Sequence, residues 1–170
     1  MRVSPGCGTC AGGRAPPTTE DWHRLVPVSI PRTGLHSGAM PAALIEVRRQ
    51  YSVDEEIAII DAVHSALVTA FRIPPEDRNV RLIVHEPHLF ACSPDLTHPE
   101  YRTIVTIDCF AGRSLDAKRK LYAAIVERLG ALGIPGDHVS TIVHEIDRHN
   151  WGLGGGHAAS DVDLGFTVNV

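Results

Sequence analysis

From residue 40 onward, apolar positions along the chain alternate between a strand-like and a helix-like spacing. A short apolar run predicts a strand at 43–48, and Ser52 and Glu55 then have the spacing of a capping box at a helix start. The apolar face of that helix recurs at steps of three or four, at Val53, Ile57, Ile60, His64, Leu67 and Phe71. A proline pair ends the helix, and a second apolar strand follows at 80–87. The pattern predicts one βαβ unit.

The same order of elements recurs in the second half of the chain. A strand is predicted at 103–110, a helix begins after the cap residue Ser114, and another strand is predicted at 139–146. The apolar face of this helix is predicted at Leu115, Tyr122, Ile125, Leu129 and Leu132. The closing strands of the two halves share the sequence Ile-Val-His-Glu, at 83–86 and 142–145. The second half therefore predicts another βαβ unit.

Duplication of one βαβ unit, at about 41–87 and 103–146, predicts an α+β fold. Right-handed crossovers join two such units into a four-stranded sheet with both helices on one face. Since no third long helix is predicted, we expect other subunits to cover the second face, most simply in a homotrimer. Alternating apolar and polar residues also predict a terminal strand at 161–170, which could pair with a neighbour's sheet edge.

The Met40-Pro41 pair stands just before the first strand. If translation began at Met40 and this methionine were removed, Pro41 would carry a free secondary amine, a base and nucleophile that no internal residue supplies. Residues 1–39 are rich in Gly, Pro, Thr and Arg and sustain no period, so we expect an unfolded extension from an upstream reading frame, followed by one domain at 40–170. If the extension is retained, Pro41 is an imide without basicity.

Composition and charge indicate which kinds of partner, compartment and cofactor to expect. The formal net charge of −4 comes with scattered Lys and Arg, so no basic stripe is available and nucleic acid is not an expected partner. No apolar stretch is long enough to cross a membrane, and the 4 cysteines suggest no disulfide framework, which indicates a reducing, cytoplasmic compartment. The pair Cys7 and Cys10 lies in the extension, and the cluster His85 to His88 lacks helical metal-site spacing. No metal or cofactor is expected.

Several motifs resemble those of a known family. The Met-Pro pair, the duplicated units and Phe-Ala-Gly-Arg-Ser at 110–114 resemble the tautomerase superfamily, which uses an amino-terminal proline. More closely, the segments at 61–68 and 70–71, with Pro-Pro-Glu-Asp-Arg at 74–78, resemble its malonate semialdehyde decarboxylase-like branch. The likeness covers roughly 40–151. It implies a chain of two fused units, a trimer, and a small carboxylate-bearing substrate.

The resemblance also implies roles for three residues. Pro41 corresponds to the catalytic proline, Asp77 to a catalytic aspartate after the first helix, and Arg113 to a substrate-binding arginine at the second strand-to-helix turn. The decarboxylase carries another arginine where this chain has Ala111. That departure counts against malonate semialdehyde as the substrate, because paired guanidinium groups grip a carboxylate better than one does.

The residue chemistry leaves the reaction open. A free α-amine titrates near pH 7.7–8.0, and burial beside Arg113 would lower the pKa of a prolyl amine. A neutral Pro41 would then act as the base in keto–enol tautomerisation of a 2-keto acid, with Arg113 holding the carboxylate. A protonated Pro41 would instead act as an acid, with Asp77 orienting water, in hydration, dehalogenation or decarboxylation.

Each of these residues also has an ordinary structural explanation. Pro41 could simply start a strand, Asp77 could close a turn, and Arg113 could be a solvated turn residue. The alternative class of protein is a non-catalytic trimer that serves as a binding or scaffold protein, which follows if the extension before Pro41 is retained.

Overall fold

A computed structural model describes residues 40–153 and 155–163 of the chain. Two βαβ units follow one another, each made of a strand, a long helix and a second strand parallel to the first. A short hairpin comes after them. The elements are β1 (Ala42–Val47), α1 (Val53–Phe71), β2 (Asn79–Val84), β3 (Thr103–Phe110), α2 (Leu115–Ala131), β4 (Val139–Ile146), β5 (Gly152–Leu153) and β6 (His157–Ala158).

The main sheet has four strands in the order β2-β1-β3-β4. Within each unit the strands are parallel, and the two units meet through an antiparallel pairing of β1 with β3, in which Ile45 lies opposite Val105. This arrangement confirms the predicted α+β fold of two fused βαβ units. Because the units are joined back to back, the start of β1 and the end of β3 lie at the same end of the sheet.

Both helices cover the same face of the sheet, as the sequence predicted. Ile45, Val47, Val105 and Ile107 alternate with less buried neighbours and are at most 1% exposed, because their side chains lie under the helices. The helices also contact each other through Arg128 of α2, whose guanidinium donates hydrogen bonds to the hydroxyls of two α1 residues. Burial of this apolar layer is the main favourable term in the stability of the fold.

The predicted apolar face of α1 is wrong in its first two turns. Val53 is 68% exposed and Ile57 is 49% exposed, because the helix turns a different stripe toward the sheet. The capping box between Ser52 and Glu55, in contrast, is present as predicted. The buried stripe of α1 consists of Ile59, Val63, His64, Ala66, Leu67, Ala70 and Phe71.

The face of α2 requires a similar correction. Leu115 is 59% exposed and Leu132 is 43% exposed, although both were predicted to be on the apolar face. Two alanines, Ala117 and Ala124, are buried instead. The buried residues of α2 are Ala117, Leu121, Ala124, Ile125 and Leu129.

The second face of the sheet is not covered by any helix of the described chain. Its apolar side chains include Ile83 and Ile142, which are 44% and 45% exposed. Two histidine–carboxylate pairs lie on the sheet as well. The Nε2 atom of His85 is 2.9 Å from Glu46, and the Nδ1 atom of His144 is 2.9 Å from Asp108.

Two predictions fall partly or wholly outside the described residues. Asp161, where the terminal strand was predicted to begin, belongs to a 3₁₀ helix at Ala159–Asp161. Because 164–170 lie outside the described residues, the terminal strand stays a prediction. The extension at 1–39, with Cys7 and Cys10, also lies outside it.

Candidate active site

The three residues predicted to form the site come together at one end of the main sheet. Pro41 directly precedes Ala42, which pairs with Asn79 of β2 on one side and with Asp108 of β3 on the other. Asp77 stands two positions before β2, and Arg113 stands three positions after β3. The topology therefore places all three backbone positions around the start of β1. We call this the proline end of the sheet.

Pro41 is buried at the start of the central strand. Met40, which precedes it, is only 3% exposed and belongs to the hydrophobic core. In the full-length chain the Pro41 nitrogen is part of a peptide bond, so it is neither a base nor a nucleophile. The position is enclosed as a catalytic amine would need to be, but its basicity depends on where the mature chain starts.

Asp77 is held in a tight turn between α1 and β2. The left-handed Arg72 ends the helix, with a φ of 54°, and two prolines follow. The turn closes where the N–H of Asp77 donates to the carbonyl of Pro74 at 3.0 Å. Asp77 therefore does close a turn, which is the structural role that the sequence analysis considered for it.

The Asp77 side chain is buried although it carries a carboxylate. The residue is 5% exposed, and its Oδ2 atom has no hydrogen-bond partner among the described residues. Burial, and secondarily the charge of Glu76, raises the pKa of Asp77 above its ordinary value, while His64 acts in the opposite direction. A buried carboxylate oxygen without a hydrogen bond is costly to the fold, and such groups are enriched at functional sites.

His64 is a nearby residue that sequence reasoning assigned only to packing. It is 8% exposed, and its Nε2 atom lies 2.9 Å from the carbonyl oxygen of Pro75, in the turn that carries Asp77. Because a carbonyl can only accept, Nε2 carries the hydrogen in this contact. The Nδ1 atom is buried without a partner among the described residues. The one available signal was a histidine within an otherwise apolar helical stripe.

The turn that carries Arg113 is fixed by one carboxylate. Gly112 has a φ of 118°, a backbone angle that residues other than glycine rarely adopt. The Oε1 atom of Glu145 accepts hydrogen bonds from the backbone N–H groups of Gly112 and Arg113, at 3.3 and 3.2 Å. The other oxygen of Glu145 is 2.7 Å from the Lys118 ammonium. This hydrogen bond to Lys118 is the main reason that the pKa of Glu145 is lowered.

The Arg113 side chain runs inward to the end of α1. Its Nη1 donates to the carbonyl oxygen of Phe71 at 2.9 Å, and its Cζ lies 4.8 Å from the centre of the Phe71 ring. The residue is 6% exposed, and burial lowers the pKa of its guanidinium. Its Nε atom has no partner among the described residues. Arg113 is therefore a buried cation whose Nε–H is available to a ligand. It is not the solvated turn residue that the sequence analysis considered as an alternative.

Other candidate chemistry is limited in the part of the chain that the structure describes. Ala111 contributes only a backbone hydrogen bond to Ile146, so Arg113 is the one arginine of this turn. His85 pairs with Glu46 and packs its ring against Phe90 at 5.3 Å. Among residues 40–153 and 155–163, no three His, Cys, Asp or Glu side chains lie close enough together to hold a metal ion. No helix in the same residues has the length and apolarity to span a membrane.

Comparisons with known proteins agree on one family. A family model described as tautomerase enzyme matches residues 77–154. The probable tautomerase YrdN of Bacillus subtilis (strain 168) is 30% identical over 120 residues, which covers 68% of this chain and 89% of the relative. The chain belongs to the tautomerase superfamily. The part matched by the family model starts at Asp77 and includes Arg113, whereas Pro41 lies before it.

Solved structures place this tautomerase in a branch. The chain is 29% identical to FG41 malonate semialdehyde decarboxylase inhibited by 3-bromopropiolate, with a TM-score of 0.63, over 72% of this chain and 98% of the other. This confirms the malonate semialdehyde decarboxylase-like branch. A fused 4-OT described as an asymmetric trimer is 20% identical with a TM-score of 0.64, over 71% and 97% of the two chains, and shares the fold.

Proposed function

We propose that this tautomerase-family enzyme uses Pro41, freed as the amino-terminal residue, to move a proton on a small 2-keto acid or enol carboxylate. The observation that carries the proposal is the buried Arg113 guanidinium, at the same end of the sheet as Pro41 and Asp77. Its Nε finds no hydrogen-bond partner in the part of the chain that the structure describes. A buried cation with a free donor suits one carboxylate of a substrate. The inhibitor 3-bromopropiolate of the similar decarboxylase is also a small carboxylate.

In this mechanism, Pro41 acts as base and then as acid. Its neutral amine takes the proton from the enol hydroxyl, and the same proton is delivered to the neighbouring carbon to give the ketone. Arg113 binds the substrate carboxylate and stabilises the negative charge that develops on the enolate oxygen. The hydrogen bond to the Phe71 carbonyl and the contact with the Phe71 ring hold the guanidinium in one orientation, so the developing charge is stabilised without rearrangement.

A second candidate is decarboxylation, hydration or dehalogenation of a small three-carbon acid. The buried Asp77 favours it, because its Oδ2 atom, which has no partner within the described residues, can accept from a water or from a protonated Pro41. The 29% identity to a malonate semialdehyde decarboxylase supports the same reading. The single arginine at this turn, with Ala111 in place of a second, favours a substrate that carries one carboxylate.

We also propose a homotrimer in the cytoplasm. The second sheet face leaves Ile83 and Ile142 nearly half exposed, and a subunit interface would cover them. A fused 4-OT of the same fold is described as a trimer. Cys92 and Cys109 are both unpaired, which suits a reducing compartment. If residues before Pro41 are retained, the same trimer would serve instead as a binding or scaffold protein.

The test begins with the intact mass of the protein made from its own gene in its native host. A mass that starts at Pro41 supports the amine, and a mass that includes residues 1–39 contradicts it. The second step compares enol ketonisation by three recombinant proteins: one that starts at Pro41, its Pro41→Ala variant, and the chain that starts at Met1. Activity confined to the first supports the proposal. Equal activity in all three contradicts it, because ketonisation would then not depend on a free amino-terminal proline.

A further inference from the structure

The turn that carries Asp77 has few backbone hydrogen bonds of its own. Pro74 and Pro75 have no N–H to donate. The N–H of Asp77 donates to the carbonyl of Pro74 at 3.0 Å, and the N–H of Arg78 donates to the carbonyl of Glu76 at 2.8 Å. Both of these bonds are local and connect the turn only to itself. Contacts with side chains of α1 connect it to the rest of the fold.

Two such contacts lie on either side of Asp77 in the sequence. In the first, the Nε2–H of His64 donates to the carbonyl oxygen of Pro75 at 2.9 Å. In the second, the guanidinium of Arg78 pairs with the carboxylate of Asp61. Asp61 and His64 are three residues apart, so they lie on neighbouring turns of one face of α1. Asp77 is therefore placed between two residues that the same helix face holds.

The two contacts differ in strength. The Asp61 and Arg78 side chains are about half exposed, and exposed ion pairs contribute little because water and salt screen them. His64 is buried, and a hydrogen bond away from water is electrostatically stronger than one at the surface. The contact through His64 is therefore the main support of the turn.

A histidine is a costly residue at this position if packing is its only role. It belongs to the buried stripe of α1, and its Nδ1 atom is buried without a hydrogen-bond partner in the part of the chain that the structure describes. A leucine would fill the stripe without an unsatisfied nitrogen. What the histidine supplies in exchange is the Nε2–H donor to Pro75.

The Asp77 carboxylate depends on support from the backbone. Its Oδ2 atom is buried, and within the described residues no hydrogen bond at this oxygen holds the side chain. The location of the carboxylate therefore follows from the location of the turn. Placement matters for a reacting group, because a displacement of about 1 Å can cost about a hundredfold in rate.

We infer that His64 is a positioning residue for the reaction at the proline end, and that it holds the Asp77 carboxylate in place through its hydrogen bond to the Pro75 carbonyl. The inference rests on the proposed function, with Asp77 taking part in the reaction. His64 acts through the turn and does not itself touch the substrate.

Two substitutions separate the hydrogen bond from the ring. Glutamine can place its amide nitrogen where Nε2 stands, whereas asparagine is one carbon shorter and cannot reach the Pro75 carbonyl. In the protein that starts at Pro41, we expect His64→Asn to lower kcat for enol ketonisation by about tenfold, with KM nearly unchanged. His64→Gln should keep kcat close to that of the wild type. Asp61→Ala, which removes the exposed contact, is the matched control and should leave kcat unchanged.

A double-mutant cycle tests whether His64 acts through Asp77. Asp77→Asn removes the group that His64 positions, so adding His64→Asn to it should cause no further loss of kcat. A purely structural effect of His64 would lower kcat by the same factor in both backgrounds. That result would overturn the inference.

A titration of the Asp77 carboxyl, followed by the carbon-13 NMR signal of Cγ, needs no activity. Burial raises the pKa of Asp77. In His64→Asn the loosened turn should admit water and bring this pKa back toward its ordinary value, while His64→Gln should keep it raised. Neither replacement can be charged and Glu76 is present in both variants, so their difference reports the hydrogen bond and not a lost charge.

The titration and the kinetics fail in different ways. The inference is overturned if Asp77 titrates identically in the two variants, or if His64→Gln, folded as judged by its melting temperature, already brings the pKa back to its ordinary value. A wild-type protein that starts at Pro41 and shows no ketonisation would contradict the proposed function instead. The titration would then still decide whether His64 holds Asp77 in place.

Discussion

Replacing Asp77 with asparagine should make the protein more stable and less active. The side chain is 5% exposed and its Oδ2 has no partner among the described residues, so the ionised carboxylate is a burden on the folded state. An unsatisfied buried polar group typically costs about 1–3 kcal/mol. Asparagine has nearly the same shape and no charge, so we expect the free energy of unfolding at pH 7 to rise by about 1 kcal/mol, at the lower end of that range.

The pH dependence follows from the direction of the pKa shift. Burial raises the pKa of Asp77 in the folded state above 3.8, so the folded state disfavours the ionised form. Below the unfolded pKa the carboxyl is protonated in both states, and the Asp77→Asn variant and the wild type should be equally stable. As pH rises through the folded pKa, the wild type should lose stability relative to the variant. Urea unfolding at fixed protein concentration, from pH 3 to pH 8, measures this difference.

Asp137→Asn is the matched control. The Asp137 carboxylate is 74% exposed, and a 2.7 Å hydrogen bond with His138 lowers its pKa. Its removal should destabilise the protein near neutral pH, and that loss should fade as pH falls through the folded pKa, the opposite sign to Asp77. Activity of the Pro41-started protein should fall by about a hundredfold with Asp77→Asn and stay unchanged with Asp137→Asn. A pH-independent loss of stability in Asp77→Asn would refute the reasoning, because it would reveal a stabilising partner of the carboxylate.

Three further predictions concern the turn at the proline end. Arg113→Lys keeps the charge but loses the fork and the contact with Phe71, so KM for a keto acid should rise by about tenfold, measured by steady-state kinetics; unchanged kinetics with reduced stability would make Arg113 purely structural. Gly112→Ala should lower the free energy of unfolding by about 1–2 kcal/mol in urea titration, because its φ of 118° strains any side chain; an unaffected stability would contradict this. Glu145→Gln removes the ion pair with Lys118 and weakens the hydrogen bonds that fix the turn. Because the pKa of Glu145 is lowered in the folded state, the ionised carboxylate stabilises the fold above its ordinary pKa of 4.5, and this stabilisation is lost on acidification. The stability gap between wild type and Glu145→Gln should therefore close as pH falls, and a gap that is constant with pH would argue against the ion pair.

Much of the fold could be predicted from local pattern. Strands and caps depend on neighbouring residues, so the capping box at Ser52 and the cap at Ser114 are where the sequence indicated. The buried faces of the helices were harder, because α1 is apolar on more than one side. The buried stripe contains Ala66 and Ala70 rather than Val53, and small alanine side chains give little hydrophobic signal in a sequence.

The candidate site divides in a similar way. Pro41, Asp77 and Arg113 could be proposed because their motifs resemble a known family, and the topology brings them to one end of the sheet. The depth of Arg113, and its contact with a carbonyl 42 residues earlier in the chain, depend on tertiary packing and leave no local pattern.

The back-to-back joining of two units in one polypeptide also limits how many amines the assembly can have. A chain has a single amino terminus, so only one of the two equivalent strand starts, at β1, can begin with a free nitrogen. Position 101, two residues before β3, lies inside the chain, and no substitution there could supply a free main-chain amine. Fusion therefore halves the number of possible proline sites relative to unfused units. It also frees the other end of the sheet from the demands of proton transfer, so that its side chains can be selected for a different purpose.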